Sequence, residues 1–310
     1  MDLDWWGILL RFFLYLDLMI LFGIPLFSLY SLENKERSTI PGRILPIILF
    51  GCTLLGVALS VAGLVVMAKN MTGATDYQTI ESHAFSMILG ETYFGTAWIS
   101  RIVALAACLI GILKLRDAPT QGCIIISLGG AIALGSLAWG GHGAMDQGVR
   151  GFLHFTADIL HLLAAGAWVG ALAFFLLLTK QEPSEKHFAV LARTSAGFAA
   201  VGTVIVATLV VTGIINFYLI AGTNLSLLFL SNYGRFLLLK LALFAGMLLM
   251  AALNRYQLAP RIEAAVVSGN AKSACVALRR SLNIEFSLAV AILFLVAIFG
   301  LLSPEIQTQN

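Results

Sequence analysis

Three ionisable side chains stand on an otherwise apolar stretch of the chain. His154, Asp158 and His161 lie in the segment HFTADILHLLAAGAWVG, residues 154–170. At about 100° and 1.5 Å per residue of an α-helix, the three fall within about 40° of one another, over roughly 10 Å of helix. Trp168 continues the same stripe. Imidazole and carboxylate groups on one helix face are metal ligands, so the spacing predicts a metal site.

The preceding loop widens the set of candidate ligands. It reads GGHGAMDQG, residues 140–148, and its glycines allow a tight turn that would bring His142 and Met145 over the stripe. Neutral imidazole and thioether sulfur suit copper, Cu(I) more than Cu(II), so we predict a copper site. The candidate ligands are His154, Asp158, His161, His142, Met145 and His83.

Each candidate also has a purely structural interpretation. A single intramembrane histidine often only forms a hydrogen bond between helices, and a lone loop histidine such as His83 is usually solvated. Asp158 is either a direct ligand or the acceptor that fixes the tautomer of a ligating histidine. For the three co-facial groups we favour function, because ionisable groups inside a membrane are rare and costly.

The elements that must hold these residues are transmembrane helices. Of 310 residues, 59% are hydrophobic and 11% are charged, against about 25% charged in soluble domains. Crossing a bilayer core of about 30 Å takes about 20 apolar residues in a helix. The chain is therefore predicted to be an all-α integral membrane protein, a bundle of eight transmembrane helices in a single transmembrane domain, 1–310. The predicted helices lie near 5–32, 44–68, 92–113, 122–140, 152–179, 194–220, 235–254 and 282–303.

The basic residues predict the orientation. Thirteen Lys and Arg lie in the loops after the first, third, fifth and seventh predicted helices, whereas the other loops hold only Lys69, Arg150 and Arg235. The positive-inside rule then places both termini outside, an N-out/C-out topology. The start of the helix that carries His154 faces the same outer side.

Further charges lie within predicted helices. Asp17 and Arg101 fall at similar depths, and so do Asp158 and Lys240. Ion pairs between helices would offset much of the cost of burying such groups. We interpret Arg11, Asp17 and Arg101 as structural ion-pair candidates, and leave Lys240 open between structure and function.

Two segments suggest an internal repeat. Tyr93-Phe94-Gly95 is followed by Arg101 six residues after its glycine, and Asn232-Tyr233-Gly234 is followed by Lys240 at the same distance. Both predicted helices run from outside to inside. This is the relation expected of a parallel 4+4 repeat.

The motif His154-x3-Asp158-x2-His161-x6-Trp168-x-Gly170 resembles the copper resistance protein D family. Thr212-Gly213, Tyr233-Gly234-Arg235 and Glu285 also match positions of that family. The resemblance implies a bacterial inner-membrane protein of eight helices that transports copper, usually inward, and so contributes to copper resistance and homeostasis. It also implies a separate periplasmic copper-binding protein as partner. No GxxxxGK[ST] motif is present, so we expect a transporter rather than an enzyme, without nucleotide or nucleic acid partners.

Two other functions remain open from the sequence. The first is a haem-binding membrane electron carrier, since histidines in a helical bundle also ligate haem. Against it, none of the other predicted helices carries a histidine to serve as the opposite axial ligand. The second is a scaffold that delivers copper to another protein without transporting it.

Overall fold

The computed structural model describes residues 4–40, 42, 44–74, 76–140, 148–180, 185–222, 227–268 and 271–299. Within these ranges the regular structure is entirely helical, which confirms the predicted fold class. Short 3₁₀ turns occupy Tyr77–Thr79 and Ser136–Gly140, and one π-helical turn occupies Asn254–Leu258. The α-helices are α1 (Trp5–Ser31), α2 (Asn34–Thr39), α3 (Ile44–Thr72), α4 (Ser82–Glu91), α5 (Tyr93–Lys114), α6 (Pro119–Gly135), α7 (Gly148–Thr179), α8 (Glu185–Ala221), α9 (Leu227–Leu230), α10 (Asn232–Leu253), α11 (Ala259–Ser268) and α12 (Ala271–Phe299).

Eight helices in the described part of the chain are long and apolar enough to cross a membrane, as predicted. They are α1, α3, α5, α6, α7, α8, α10 and α12. Three helices begin earlier in the chain than predicted: α7 begins at Gly148, α8 at Glu185 and α12 at Ala271. These first turns carry polar residues, which extend a helix without adding apolar length. As a result His187, which the sequence placed in a loop, lies in the first turn of α8.

Glycines bring the backbones of α1 and α7 into direct contact at the centre of the bundle. A Cβ atom built on Gly23 of α1 would lie 2.2 Å from the carbonyl oxygen of Gly166, and one built on Gly170 would lie 2.2 Å from the Cα of Gly23. Gly166 and Gly170 are one turn apart and form the small-xxx-small pattern of close helix pairs. This contact, called here the glycine crossing, sets the position of α7 against α1.

Consecutive spans run in opposite directions around this pair. Arg11, His154 and Tyr233, near the starts of their helices, line one cavity together with Ile220 and Val296, near the ends of theirs. We call this end of the bundle the N-terminal face and the other end the far face. Helices α8 and α12 pack on α7, and α10 packs on α12, whereas α8 and α10 make few direct contacts. A space bounded by these four helices therefore remains open.

The two segments of the possible repeat begin with the same local structure. Thr92 Oγ1 accepts a hydrogen bond from the Gly95 amide at 3.0 Å, and Ser231 Oγ accepts one from the Gly234 amide at 2.9 Å. Each hydroxyl thus caps the N-terminus of the helix that follows. The shared cap is what a duplicated segment would retain, and the repeat itself stays a prediction.

The glycine crossing predicts that one methyl group added at Gly170 strongly destabilises the protein. In Gly170→Ala the new Cβ meets backbone atoms of α1, which cannot move aside as the end of a flexible side chain could. We therefore expect the free energy of unfolding to fall by about 1–3 kcal/mol. The control is Gly197→Ala on α8, where a Cβ meets nothing within 4 Å. Thermal unfolding in detergent should show a lower midpoint for Gly170→Ala only. Equal midpoints for the two variants would show that the helices are not in backbone contact.

Candidate functional site

A cavity of about 180 Å³ near the start of α7 collects the polar residues of four helices. We call it the polar cavity. Its ionisable or hydrogen-bonding lining residues are Arg11 and Tyr15 of α1, His154, Asp158 and His161 of α7, Asn216 of α8, and Tyr233 and Lys240 of α10. The three co-facial residues of the sequence motif therefore do face one space, and the other helices add partners to them.

His154 and Asp158 form the upper part of the polar cavity, toward the N-terminal face. His154 is 2% exposed, and its Nε2 lies 4.0 Å from Asp158 Oδ2. Asn216 Nδ2 donates a hydrogen bond of 2.7 Å to Asp158 Oδ1. The Asn216 Oδ1 atom is buried and has no hydrogen-bond partner among the described residues. An unpartnered acceptor beside an imidazole and a carboxylate is an arrangement that a bound cation would complete.

His161 lies lower in the polar cavity and is held by Thr212 of α8. Its Nδ1 is 2.9 Å from Thr212 Oγ1, and that hydroxyl lies 2.6 Å from the Thr208 carbonyl oxygen. Because the threonine hydrogen is donated to the carbonyl, the hydroxyl accepts from Nδ1–H of the histidine. The lone pair then resides on Nε2 of His161. This is the way in which a neighbouring residue prepares a histidine to be a ligand.

Lys240 lines the polar cavity together with Asp158, the residue that the sequence matched to it by depth. An ammonium group there is attracted to the carboxylate. Arg11 lines the same cavity. It lies within electrostatic range of Tyr15, and so does Arg101. A cation that entered would therefore compete with Lys240 for the same carboxylate.

The other ion-pair candidates have different surroundings. Arg101 is buried, and its Nε donates a hydrogen bond of 2.8 Å to Ser136 Oγ. Asp17 is buried next to Cys52 and the backbone of Gly56, with no basic partner in the described ranges. The pairing of Asp17 with Arg101 that similar depth suggested is not formed there.

The remaining predicted ligands do not join this group. His83 lies exposed on α4, a short helix that packs on α3 and α5, and does not line the polar cavity. His142 and Met145 lie outside the described residues. Within the described part of the chain, no three His, Cys, Asp or Glu side chains converge closely enough to hold a metal ion. The reason is geometric, since positions i, i+4 and i+7 of one helix extend over roughly 10 Å. The ligand set therefore stays a prediction.

Asn216 is the functional candidate that the sequence reading missed. It is the only amide in the apolar run IINFYLI, residues 214–220. An isolated polar residue in a transmembrane segment is itself a signal of function. Its contact with Asp158, however, depends on how α8 packs on α7, which no local pattern encodes.

Two further cavities continue from the polar cavity toward the far face, each of about 400 Å³. The middle cavity shares His161 and Lys240 with the polar cavity and is otherwise mostly apolar. The far cavity shares Trp168 with the middle cavity and also contains Asn254 and Glu285. The stripe of α7 therefore lines three consecutive cavities, in the order of its residues.

Comparisons with known proteins give a consistent result. The family described as Copper resistance protein D-like, N-terminal domain, matches residues 1–152, and the family described as Copper resistance protein D matches residues 192–299. The chain is 43% identical to Copper resistance protein D of Pseudomonas syringae pv. tomato, over 97% of each chain. These matches confirm the resemblance inferred from the motif, although most of α7 lies between the two family matches.

Two more distant relatives also span most of the chain. Inner membrane protein YebZ of Escherichia coli (strain K12) is 26% identical over 83% of this chain and 85% of its own length. Copper transport protein CutJ of Bacillus subtilis (strain 168) is 26% identical over 93% of this chain and 51% of its own length. No solved structure matches the chain significantly.

The contact between His161 and Thr212 predicts a fixed tautomer. Nitrogen NMR of protein with labelled histidine should show one neutral imidazole protonated at Nδ1, and this signal should shift toward the Nε2–H form in Thr212→Val, which removes the acceptor. Thr208→Val is the control, because it is one turn away and keeps the backbone carbonyl that Thr212 uses. Unchanged tautomers in Thr212→Val would refute the assignment.

Proposed function

Because the chain belongs to the copper resistance protein D family, we propose that it binds copper ions and carries them across the bacterial inner membrane. Two relatives are named for copper resistance and copper transport, and a third is named an inner membrane protein. The observation that carries the proposal is the polar cavity, where His154, Asp158 and an unpartnered Asn216 oxygen meet inside a transmembrane bundle.

We propose that the N-terminal face is periplasmic and that copper moves inward from it. Support comes from the thirteen Lys and Arg that lie between the predicted helices on the far-face side. Among them, Arg193, near the start of α8, forms ion pairs with Glu33, the residue before α2, and with Glu36 of α2. A separate periplasmic copper-binding protein would then deliver copper to the mouth of the polar cavity.

Binding would proceed by exchange of ligands along α7. The His154 imidazole, the Asp158 carboxylate and the Asn216 amide oxygen receive the ion first. The Nε2 lone pair of His161 receives it next, about 10 Å beyond His154 and about 4.5 Å beyond Asp158 along the helix axis. Imidazole nitrogen suits copper, and a soft thioether ligand such as Met145 would shift the preference toward Cu(I) over Cu(II). As the positive ion reaches Asp158, it weakens the attraction of that carboxylate for Lys240, so the lysine opposes tight retention.

Haem binding has less support in this architecture. The described residues add one buried histidine to a long helix, His187 of α8. It lies 29 residues before Asn216, about 43 Å along the helix axis, and so cannot serve as an axial partner of a histidine in the polar cavity. A copper-delivery scaffold without transport uses the same cavity, and a flux measurement separates it from a transporter.

The first test is copper binding and copper accumulation in cells by the double variant His154→Ala plus His161→Ala. Loss of the nitrogen ligands should weaken copper binding by more than about tenfold, since even indirect partners of ligands contribute that much. The control is His187→Ala, which removes a buried histidine at the other end of the bundle. Binding and accumulation at the wild-type level in the double variant would refute the proposed site.

The second test is copper flux into proteoliposomes of defined orientation. The proposal predicts uptake when the N-terminal face is exposed to the copper solution, and its loss in the double variant. Copper binding without any flux would instead favour the delivery scaffold. Flux only from the far face would reverse the proposed direction.

A further inference from the structure

A buried carboxylate occupies the far cavity, at the opposite end of the three cavities from Asp158. Glu285 of α12 is 2% exposed. Trp168 Nε1 donates a hydrogen bond of 3.0 Å to its Oε1, and Asn254 Nδ2 donates one of 2.8 Å to its Oε2. The tryptophan is the last residue of the polar stripe on α7, so the stripe ends on this carboxylate.

The charges around Glu285 do not neutralise it. Trp168 of α7 contacts it, and the polar residues that α8 contributes to the lining of the far cavity are Ser195 and Thr203. Arg255, at the end of α10, is the charged neighbour in the lining, but its Nη1 donates to Thr203 Oγ1 at 3.1 Å and its guanidinium lies over the ring of Tyr256. Within the described ranges, both hydrogen bonds to the carboxylate come from neutral donors.

Asn254 can form a hydrogen bond with Glu285 whether the carboxyl group is ionised or protonated. Its amide nitrogen donates to the carboxylate, while its buried Oδ1 has no hydrogen-bond partner among the described residues. If Glu285 takes up a proton, rotation of the amide presents Oδ1 as the acceptor for the new O–H group. The buried Ser195 Oγ, on the lining of the same cavity, is likewise without a partner in that part of the chain. Among the described residues, the far cavity thus holds two oxygen atoms without hydrogen-bond partners, next to a carboxylate that forms no ion pair.

The position of Glu285 suits exchange with water on the far face. Arg255 and Tyr256, which line the same cavity, are exposed at the end of α10. On α12, Arg279 and Arg280 precede the carboxylate by about one and a half turns. On the other side, Trp168 separates the far cavity from the middle cavity. A cation that moved along the stripe would meet this carboxylate last.

We propose that Glu285 is a proton-exchanging exit site, at which an arriving copper cation displaces a proton and a proton from the far-face solution then displaces copper. In the first step the O–H bond of the carboxylic acid breaks, the proton leaves to water, and the cation binds the carboxylate. The second step is the reverse exchange, and no electron is transferred in either. Oxygen ligands hold Cu(I) weakly, which suits a site of release. This inference rests on the proposed transport function.

The first experiment needs no copper. Infrared difference spectra of the protein in liposomes, recorded on acidification, should show a carboxylic C=O band in the wild type that is missing in Glu285→Gln. The glutamine variant is expected to fold, because its oxygen still accepts from Trp168 and its amide can donate to Asn254 Oδ1. Asp17→Asn is the matched control, since it removes a buried carboxylate elsewhere in the bundle. If the wild type lacks the band, or Glu285→Gln keeps it, the exit site is refuted.

The second experiment measures copper flux in proteoliposomes against the pH on the far-face side. The wild type and Asp17→Asn should release copper faster when that side is more acidic, and Glu285→Gln should be slower and lose this dependence. Wild-type flux with the same pH dependence in Glu285→Gln refutes the exit site alone. Absence of copper flux in the wild type refutes the transport function, and the exit site with it.

Discussion

The backbone contact between α1 and α7 is the constraint on which the rest of the structure depends. Without side chains at Gly23, Gly166 and Gly170, the two helices approach to backbone distance. In a membrane, where the lipid is as apolar as the helix surface, such close packing replaces the hydrophobic effect as the source of association. The contact also fixes the rotation of α7. The polar stripe lies at a fixed angle around the helix axis from Gly166 and Gly170. The glycine crossing therefore determines which neighbouring helices the histidines and Asp158 face.

The glycine crossing turns the polar stripe toward α8, α10 and α12. Helix α10 packs on α12, but α8 and α10 make few direct contacts, so a space remains between them. Three cavities follow the stripe from the N-terminal face to the far face. One carboxylate lies near each end of the series: Asp158, which is partly exposed and lines the polar cavity with Lys240, and Glu285, which is buried between neutral donors. The middle cavity is mostly apolar, so a cation would bind weakly there. Carboxylates near both ends and a mostly apolar middle are the arrangement that the proposed transport of a cation requires.

Much of this architecture could be predicted from the sequence, because its causes are local. Apolar length gave the eight spans, and helix periodicity placed His154, Asp158 and His161 on one face. The late predicted starts of α7, α8 and α12 reflect polar turns that hydropathy does not detect. Contacts between helices were beyond prediction, since they depend on packing. Thus the partners Asn216 for Asp158 and Thr212 for His161 emerged only from the structure, and Asp17 was matched by depth to an arginine that it does not meet.

In the proposed function, the polar stripe at the N-terminal face binds copper through histidine nitrogen. X-ray absorption at the copper edge, on copper-loaded protein, tests it most directly. Imidazole rings bound to copper should give multiple scattering in the wild type, and this scattering should be reduced in His154→Ala and unchanged in His187→Ala. A spectrum without imidazole scattering, or one identical in the wild type and His154→Ala, would contradict it.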